Sequence, residues 1–218
     1  MDTEFWQRRW ESGQIGFHLQ EVNPRLRKHW PQLGVASGQP VFVPLCGKSM
    51  DMVWLARRGH PVIGVELSRI AIEAFFREFG HPPSVVEGAP FTVFGAAGVR
   101  ILQGDFFALQ QRDLPGVAAI YDRAALIALP PPMRVDYARQ LACLAAQDSP
   151  VLLITLEYDQ REMSGPPFAV HEAEVHALLS GAFVIRQLEL TPALELPPRF
   201  REHGLRSMRE RVYHLQRR

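Results

Sequence analysis

Val41-Phe42-Val43-Pro44-Leu45-Cys46-Gly47-Lys48-Ser49 is followed, after one helical stretch, by Val62-Ile63-Gly64-Val65-Glu66-Leu67. The run from Val41 to Leu45 is short and continuously apolar, the pattern of a strand covered on both faces. Ser49 predicts an N-cap, and the helix it opens runs through Arg58 to a stop at Gly59. Val62 to Leu67 repeats the buried-strand pattern. Strand, helix, strand in this order implies a right-handed βαβ unit with its two strands parallel.

The alternation continues outward. Ser68 caps a helix that runs to Phe79 and stops at Gly80. Phe91 to Phe94 and Val99 to Leu102 are β-like pieces joined by Gly95-Ala96-Ala97-Gly98. Val117 to Tyr121 and Val151 to Leu156 are strands, separated by a helix led by Pro130 to Pro132 and ending at about Ala146. Glu172 to Leu179 is helical. Phe183 to Leu190 and Val212 to Gln216 are the last strands, and without a helix between them they predict an antiparallel pair. Towards the N-terminus, Thr3 to Glu11 carries Trp6 and Trp10 on one helix face, and Asn23-Pro24 opens a second helix closed by Pro31. The expected fold is α/β, a doubly wound and mostly parallel sheet. Residues 1–218 are read as one domain, with N-terminal helices in 1–35 and a core in 40–218.

Bulk properties bound the function. A length of 218 residues suits one domain of roughly 100–200 residues. A net charge of +1 argues against a nucleic-acid partner, which needs an excess of positive charge. The Arg-rich end, Arg206 to Arg218, has acids interspersed and reads partly as a strand, so a nucleic-acid module is set aside. Cys46 and Cys143 are too sparse for a disulfide framework. Met1 to Trp10 is polar and aromatic, so no signal peptide is expected there, and no apolar run reaches bilayer length. A cytoplasmic protein without a membrane partner is expected. The histidines form no His-x-x-x-His pair, and neither Cys-x-x-Cys nor Gly-x-Ser-x-Gly occurs, so no metal and no serine nucleophile are expected.

Ligands of a doubly wound sheet bind outside the carboxyl ends of its strands, and four such ends are informative. Gly47 allows a tight turn and close backbone approach to a ligand. Gly47-Lys48-Ser49 imitates the end of a P-loop, but Phe42 stands where that motif needs glycine. Glu66 is the only charge in its strand and follows Gly47 at the spacing at which an acid meets ribose hydroxyls. Gly104-Asp105-Phe106-Phe107 sets an acid beside aromatics, suited either to an adenine or to a capped turn over core phenylalanines. Asp122-Arg123 places a guanidinium at the mouth of the sheet, for an anionic ligand or for an internal ion pair with Asp122.

Together these residues resemble the thiopurine S-methyltransferase family, its bacterial branch more closely than its animal one. The likeness is carried by Phe5-Trp6-x-x-Arg9-Trp10, Ile15-Gly16-Phe17-His18, Asn23-Pro24 and, most specifically, Pro44-Leu45-Cys46-Gly47-Lys48-Ser49-x-Asp51-Met52. Gly59-His60, Gly64-Val65-Glu66-Leu67-Ser68, Tyr121-Asp122-Arg123-Ala124-Ala125-Leu126 and Gly165-Pro166-Pro167-Phe168 follow in family order. The resemblance implies the class I S-adenosylmethionine-dependent methyltransferase fold with an N-terminal helical lid. It implies S-adenosylmethionine as methyl donor and the sulfur of an aromatic or heterocyclic thiol as acceptor, with no general base required. It implies that Trp10, Leu45, Glu66 and Arg123 contact the donor, that Asp105 and Phe106 hold its adenine end, and that Phe17 lines the acceptor pocket. Gly47, read from the loop itself, joins the donor set. Ala124 stands where the animal branch has Gly, a departure beside Arg123 that bears on the shape of the acceptor pocket. Two other readings stay open: a methyltransferase for selenium, tellurium or other small soft nucleophiles, and a non-catalytic protein that binds the donor. A monomer is expected.

Overall fold

The computed structural model describes residues 3–12, 21–192, 196, 198–202 and 204–218, and the statements below concern these. The chain divides into two compact units, 1–121 and 122–218.

Two helices precede the sheet of the first unit. α1 spans Thr3–Glu11 and α2 spans Pro24–His29. The Asn23 side chain caps α2 by accepting from the Arg25 N–H at 2.8 Å, and Pro24 takes the first turn, where a missing N–H costs nothing. α2 ends at His29, two residues before the Pro31 expected to close it. Pro31 sits in a 3-10 turn, Trp30–Leu33, again near a start, where proline is tolerated.

β1 (Val41–Val43) and β2 (Val62–Glu66) are buried at every residue. They pair in parallel, Phe42 opposite Ile63, with α3 (Asp51–Arg57) as the crossover. β1 ends before the expected Leu45, because Pro44 has no N–H for the ladder and Leu45 takes φ 43°, outside the strand region. α3 starts at Asp51, with Met50 in the cap position. Ser49 is held in the preceding turn by its N–H to the Cys46 carbonyl at 3.1 Å, yet its hydroxyl still accepts from the Asp51 N–H at 3.3 Å.

α4 (Arg69–Phe79) begins and ends as its sequence predicts, on the Ser68 oxygen and on Gly80 at φ 77°. It buries Ala71, Ile72, Phe75 and Phe76. Each of the two phenylalanines contributes roughly 1.5–3 kcal/mol by leaving water. β3 (Ser84–Val86), β4 (Thr92–Ala96) and β5 (Val99–Gln103) form an antiparallel meander. β3 had no sequence signal, since all three residues are exposed and nothing in their pattern marks a covered face. β5 pairs in parallel with β2, and β6 (Ala119–Asp122) pairs in parallel with β1. The order in this unit is β3-β4-β5-β2-β1-β6.

In the second unit, α5 (Pro131–Leu144), β7 (Pro150–Glu157) and α6 (Glu172–Leu179) lead to β8 (Phe183–Pro192), α7 (Pro198–Glu202) and β9 (Arg209–Arg217). β8 and β9 are antiparallel as expected, although the short α7 lies between them in the chain, where no helix was expected. β9 is also antiparallel to β7, so the last strand lies between the two that precede it. The parallel strands with their helical crossovers make an α/β fold of the doubly wound type.

Candidate active site

The loop after β1 turns tightly. Leu45 and Gly47 both have positive φ, 43° and 52°. For leucine that conformation costs of order 1–3 kcal/mol and persists only where the surroundings enforce it. The enforcement is visible. The Cys46 N–H bonds the Val65 carbonyl at 3.0 Å, and the Cys46 side chain occupies the space over Gly64, where a Cβ would lie 2.6 Å from Sγ. Gly64 is therefore glycine inside a strand because the loop folds onto it. Lys48, the residue that imitated a P-loop, pairs with Glu78 at the end of α4 at 2.6 Å.

Glu66 holds the loop from below. Its Oε2 accepts from the Gly47 N–H at 2.9 Å and its Oε1 from the Ser68 N–H at 2.8 Å. Burial pushes its carboxyl up from the ordinary carboxylate range, and the amide hydrogen bonds pull it back down. A carboxylate has about four acceptor directions, and the Gly47, Ser68 and Leu67 amides leave capacity for a ligand hydroxyl. Burial, and secondly the Glu66 charge, push the Cys46 thiol well up. It is therefore a packing group and not a nucleophile.

Trp10 is buried and its ring lies over Gly47, where a Cβ would come within 3.3 Å of Cζ2. α1 itself lies against α4. The structure thus brings together Trp10, Leu45, Gly47 and Glu66, four of the expected donor residues, in the first unit. Phe17 lies outside the described residues.

Asp105 and Phe106 follow β5, and the Gly104 N–H bonds the Glu66 carbonyl at 3.0 Å, which puts them beside the end of β2. The Asp105 carboxylate accepts from the Phe107 N–H at 3.0 Å and caps a 3-10 turn. The Phe106 ring is 1% exposed and stacks in parallel on Phe42 at 6.5 Å. Its side chain serves the core, so anything it gives a ligand comes from its backbone. Gly104 is required here, since a Cβ would meet the Phe91 ring at 2.4 Å.

Arg123 belongs to the second unit. The internal ion pair with Asp122 does not form. Asp122 turns inward and accepts from the Ala125 N–H at 3.1 Å, the Leu126 N–H at 3.3 Å and the Tyr137 hydroxyl at 2.7 Å. Burial raises its carboxyl to about 6 against these three bonds. Arg123 is half-buried, and no anion among the described residues pairs with it.

Residue-by-residue reading missed the anchors around this site. Asp51 is buried and accepts from the Asn23 N–H at 2.7 Å and from the Tyr121 hydroxyl at 2.9 Å. It ties the start of α2 to the end of β6. His60 Nε2 accepts from the Trp30 indole N–H at 3.1 Å, which leaves Nδ1–H to donate to the Gln39 carbonyl at 3.1 Å. Their only sequence signal was membership of the segments Asn23-Pro24, Ser49-x-Asp51 and Gly59-His60. Among the described residues, no group of three or more His, Cys, Asp or Glu is placed to hold a metal ion.

Solved structures share this architecture. A Burkholderia thailandensis 1,6-didemethyltoxoflavin-N1-methyltransferase, determined with S-adenosylhomocysteine, superposes with a TM-score of 0.65 at 16% identity, over 99% of this chain and 86% of the other. An S-adenosylmethionine-dependent methyltransferase from Anabaena variabilis superposes with a TM-score of 0.66 at 12% identity, over 99% and 95%. The fold is that of the S-adenosylmethionine-dependent methyltransferases, and the protein is an enzyme of that class. The thiopurine S-methyltransferase family profile matches residues 1–218, and the chain belongs to this family. It is 47% identical over 213 residues to a thiopurine S-methyltransferase of Nitrosospira multiformis, covering 98% of this chain and 97% of the relative. It is 48% identical over 215 residues to one from Pseudomonas fluorescens, covering 99% of each.

Proposed function

We propose that this enzyme transfers a methyl group to the sulfur of an aromatic or heterocyclic thiol, a thiopurine being the model acceptor. The carrying observation is the buried Glu66 carboxylate, clasped by the Gly47 and Ser68 amides at the end of β2 with acceptor capacity to spare. That chemistry fits a ribose hydroxyl. The strained loop at Leu45 and Gly47 and the Trp10 ring over it suit a flat, cationic donor. S-adenosylmethionine supplies an electrophilic methyl group on a sulfonium.

The residues of this chain bind and orient. Glu66 accepts from a ribose hydroxyl, Gly47 and Leu45 offer backbone and apolar contact, and Asp105 with the Phe106 backbone serves the adenine end. Arg123 steadies an anionic group of donor or acceptor. Trp10 faces the sulfonium, a cation–π contact of ~0.5–2 kcal/mol. The N-terminal helices, with Phe17, act as a lid that excludes water. The acceptor thiol ionises readily and loses its proton to solvent. Its sulfur then forms the new S–C bond as the sulfonium S–C bond breaks, leaving S-adenosylhomocysteine. Positioning and proximity carry most of the rate, and no side chain has to act as base. The same reading makes the protein a cytoplasmic monomer acting on small molecules. Two cysteines in 218 residues suit a reducing compartment.

The test is turnover of S-adenosylmethionine with 6-mercaptopurine, read as S-adenosylhomocysteine, with Glu66→Ala alongside. Product from the wild type that disappears in the variant supports donor, acceptor class and site together. Donor binding without product overturns the thiol reading and directs the search to selenium, tellurium and other soft nucleophiles.

A further inference from the structure

Arg123 follows directly on β6, and successive side chains leave a strand on opposite faces. Asp122 goes inward while Arg123 is half-buried, and no ion pair joins the two among the described residues. The Asp122 carboxylate instead spans two pieces of backbone and one helix. Oδ1 takes the Ala125 and Leu126 amides at 3.1 and 3.3 Å, closing the turn that begins at Arg123. Oδ2 takes the Tyr137 hydroxyl from α5 at 2.7 Å. Tyr137 is fully buried, and burial together with the Asp122 charge pushes its phenol well above the usual range, so it stays a proton donor.

We propose that Asp122, seated by Tyr137, is the positioning residue for Arg123: it clamps the 123–126 turn and fixes the direction in which the guanidinium leaves the end of β6 towards an anionic ligand group. The inference rests on the function proposed above, with the donor as the ligand whose anionic group Arg123 steadies. A carboxylate can accept all three bonds at once, whereas the neutral acid must spend one oxygen as a donor and releases part of the turn. The groups that face the carboxylate are the Tyr137 hydroxyl from α5 and the amides of Ala125 and Leu126. Asp122 titrates at about 6, so the clamp is engaged at neutral pH and loosens in mild acid.

The experiment is calorimetric binding of S-adenosylhomocysteine from about pH 5 to about pH 8 to the wild type, Arg123→Ala, Asp122→Asn and Tyr137→Phe. Wild-type affinity is expected to fall as pH drops through about 6. Asp122→Asn should bind about tenfold more weakly at neutral pH and lose this acid limb. Tyr137→Phe removes a bond that lowers the Asp122 value, so its acid limb should move to higher pH. An acid limb that persists unchanged in Asp122→Asn, or a midpoint that stays fixed in Tyr137→Phe, overturns the inference. Should Asp122→Asn not fold, the Tyr137→Phe midpoint alone decides. Unchanged affinity in Arg123→Ala instead overturns the role proposed for Arg123 itself, and the two failures are thus distinguishable.

Discussion

Glu66 Oε2 accepts the Gly47 amide proton at 2.9 Å, tying the end of β2 to the loop that follows β1. One carboxylate therefore shapes the loop and, in the function proposed above, also binds the donor. Removing it should do two things. Glu66→Ala leaves two buried amides without acceptors, a stability cost of about 1–3 kcal/mol for each. It should also weaken donor binding by about 10- to 100-fold. Glu66→Gln keeps an oxygen for one amide and should recover most of the stability and less of the affinity. Denaturant unfolding and donor titration on both variants check this.

Gly47 and Trp10 form a coupled pair. A Cβ at position 47 would lie 3.3 Å from the Trp10 ring, on a backbone with φ 52°. Gly47→Ala should displace the ring and raise the Michaelis constant for the donor. Trp10→Ala should raise it too. The double variant should fall short of the sum by about 0.5–3 kcal/mol, as contacting residues do. Full additivity would show that the ring and the loop act separately.

Asp122 predicts a pH-dependent stability. Its folded value is raised from 3.8 to about 6, so the native state holds a proton that the unfolded state has released. The stabilisation is complete below the unfolded value and is lost as pH rises through the folded one. Between about pH 4 and pH 7 the wild type should lose about 3 kcal/mol relative to Asp122→Asn, read by urea unfolding at each pH. The ionised carboxylate would then weaken the fold at the pH where it serves Arg123.

Trp30→Phe is the structural control. It leaves His60 Nε2 buried without its donor, at about 1–3 kcal/mol. The hydrogen bond it removes joins Trp30 to His60, neither of them a proposed ligand contact, so the unfolding midpoint should fall while the donor and acceptor Michaelis constants stay put. A changed donor constant would mean that the Trp30–His60 pair reaches the site.

Most of the fold was legible because it is local. Ser68 and Gly80 delimit α4, Asn23-Pro24 opens α2, and the apolar runs at β1, β2 and β7 announce strands covered on both faces. Glu66 stood out as the only charge in such a run. β3 was missed because three exposed residues carry no periodicity, and β1 was drawn too long because the backbone turns over while the residues stay apolar.

The sequence by itself determined the alternation of strands and helices, the glycine and the acid at the first two strand ends, and the family. Caps, breakers and burial patterns are written in neighbouring residues, and a family segment is written in its letters. Only the tertiary structure decided what the polar side chains do. It turned Asp122 away from Arg123, spent Lys48 on Glu78, committed the Phe106 ring to Phe42, and joined Asp51 to Asn23 and Tyr121. Each of these depends on which face a side chain leaves by and on what distant residue lies within about 3 Å of it, and hydrogen bonds act only over that range and direction.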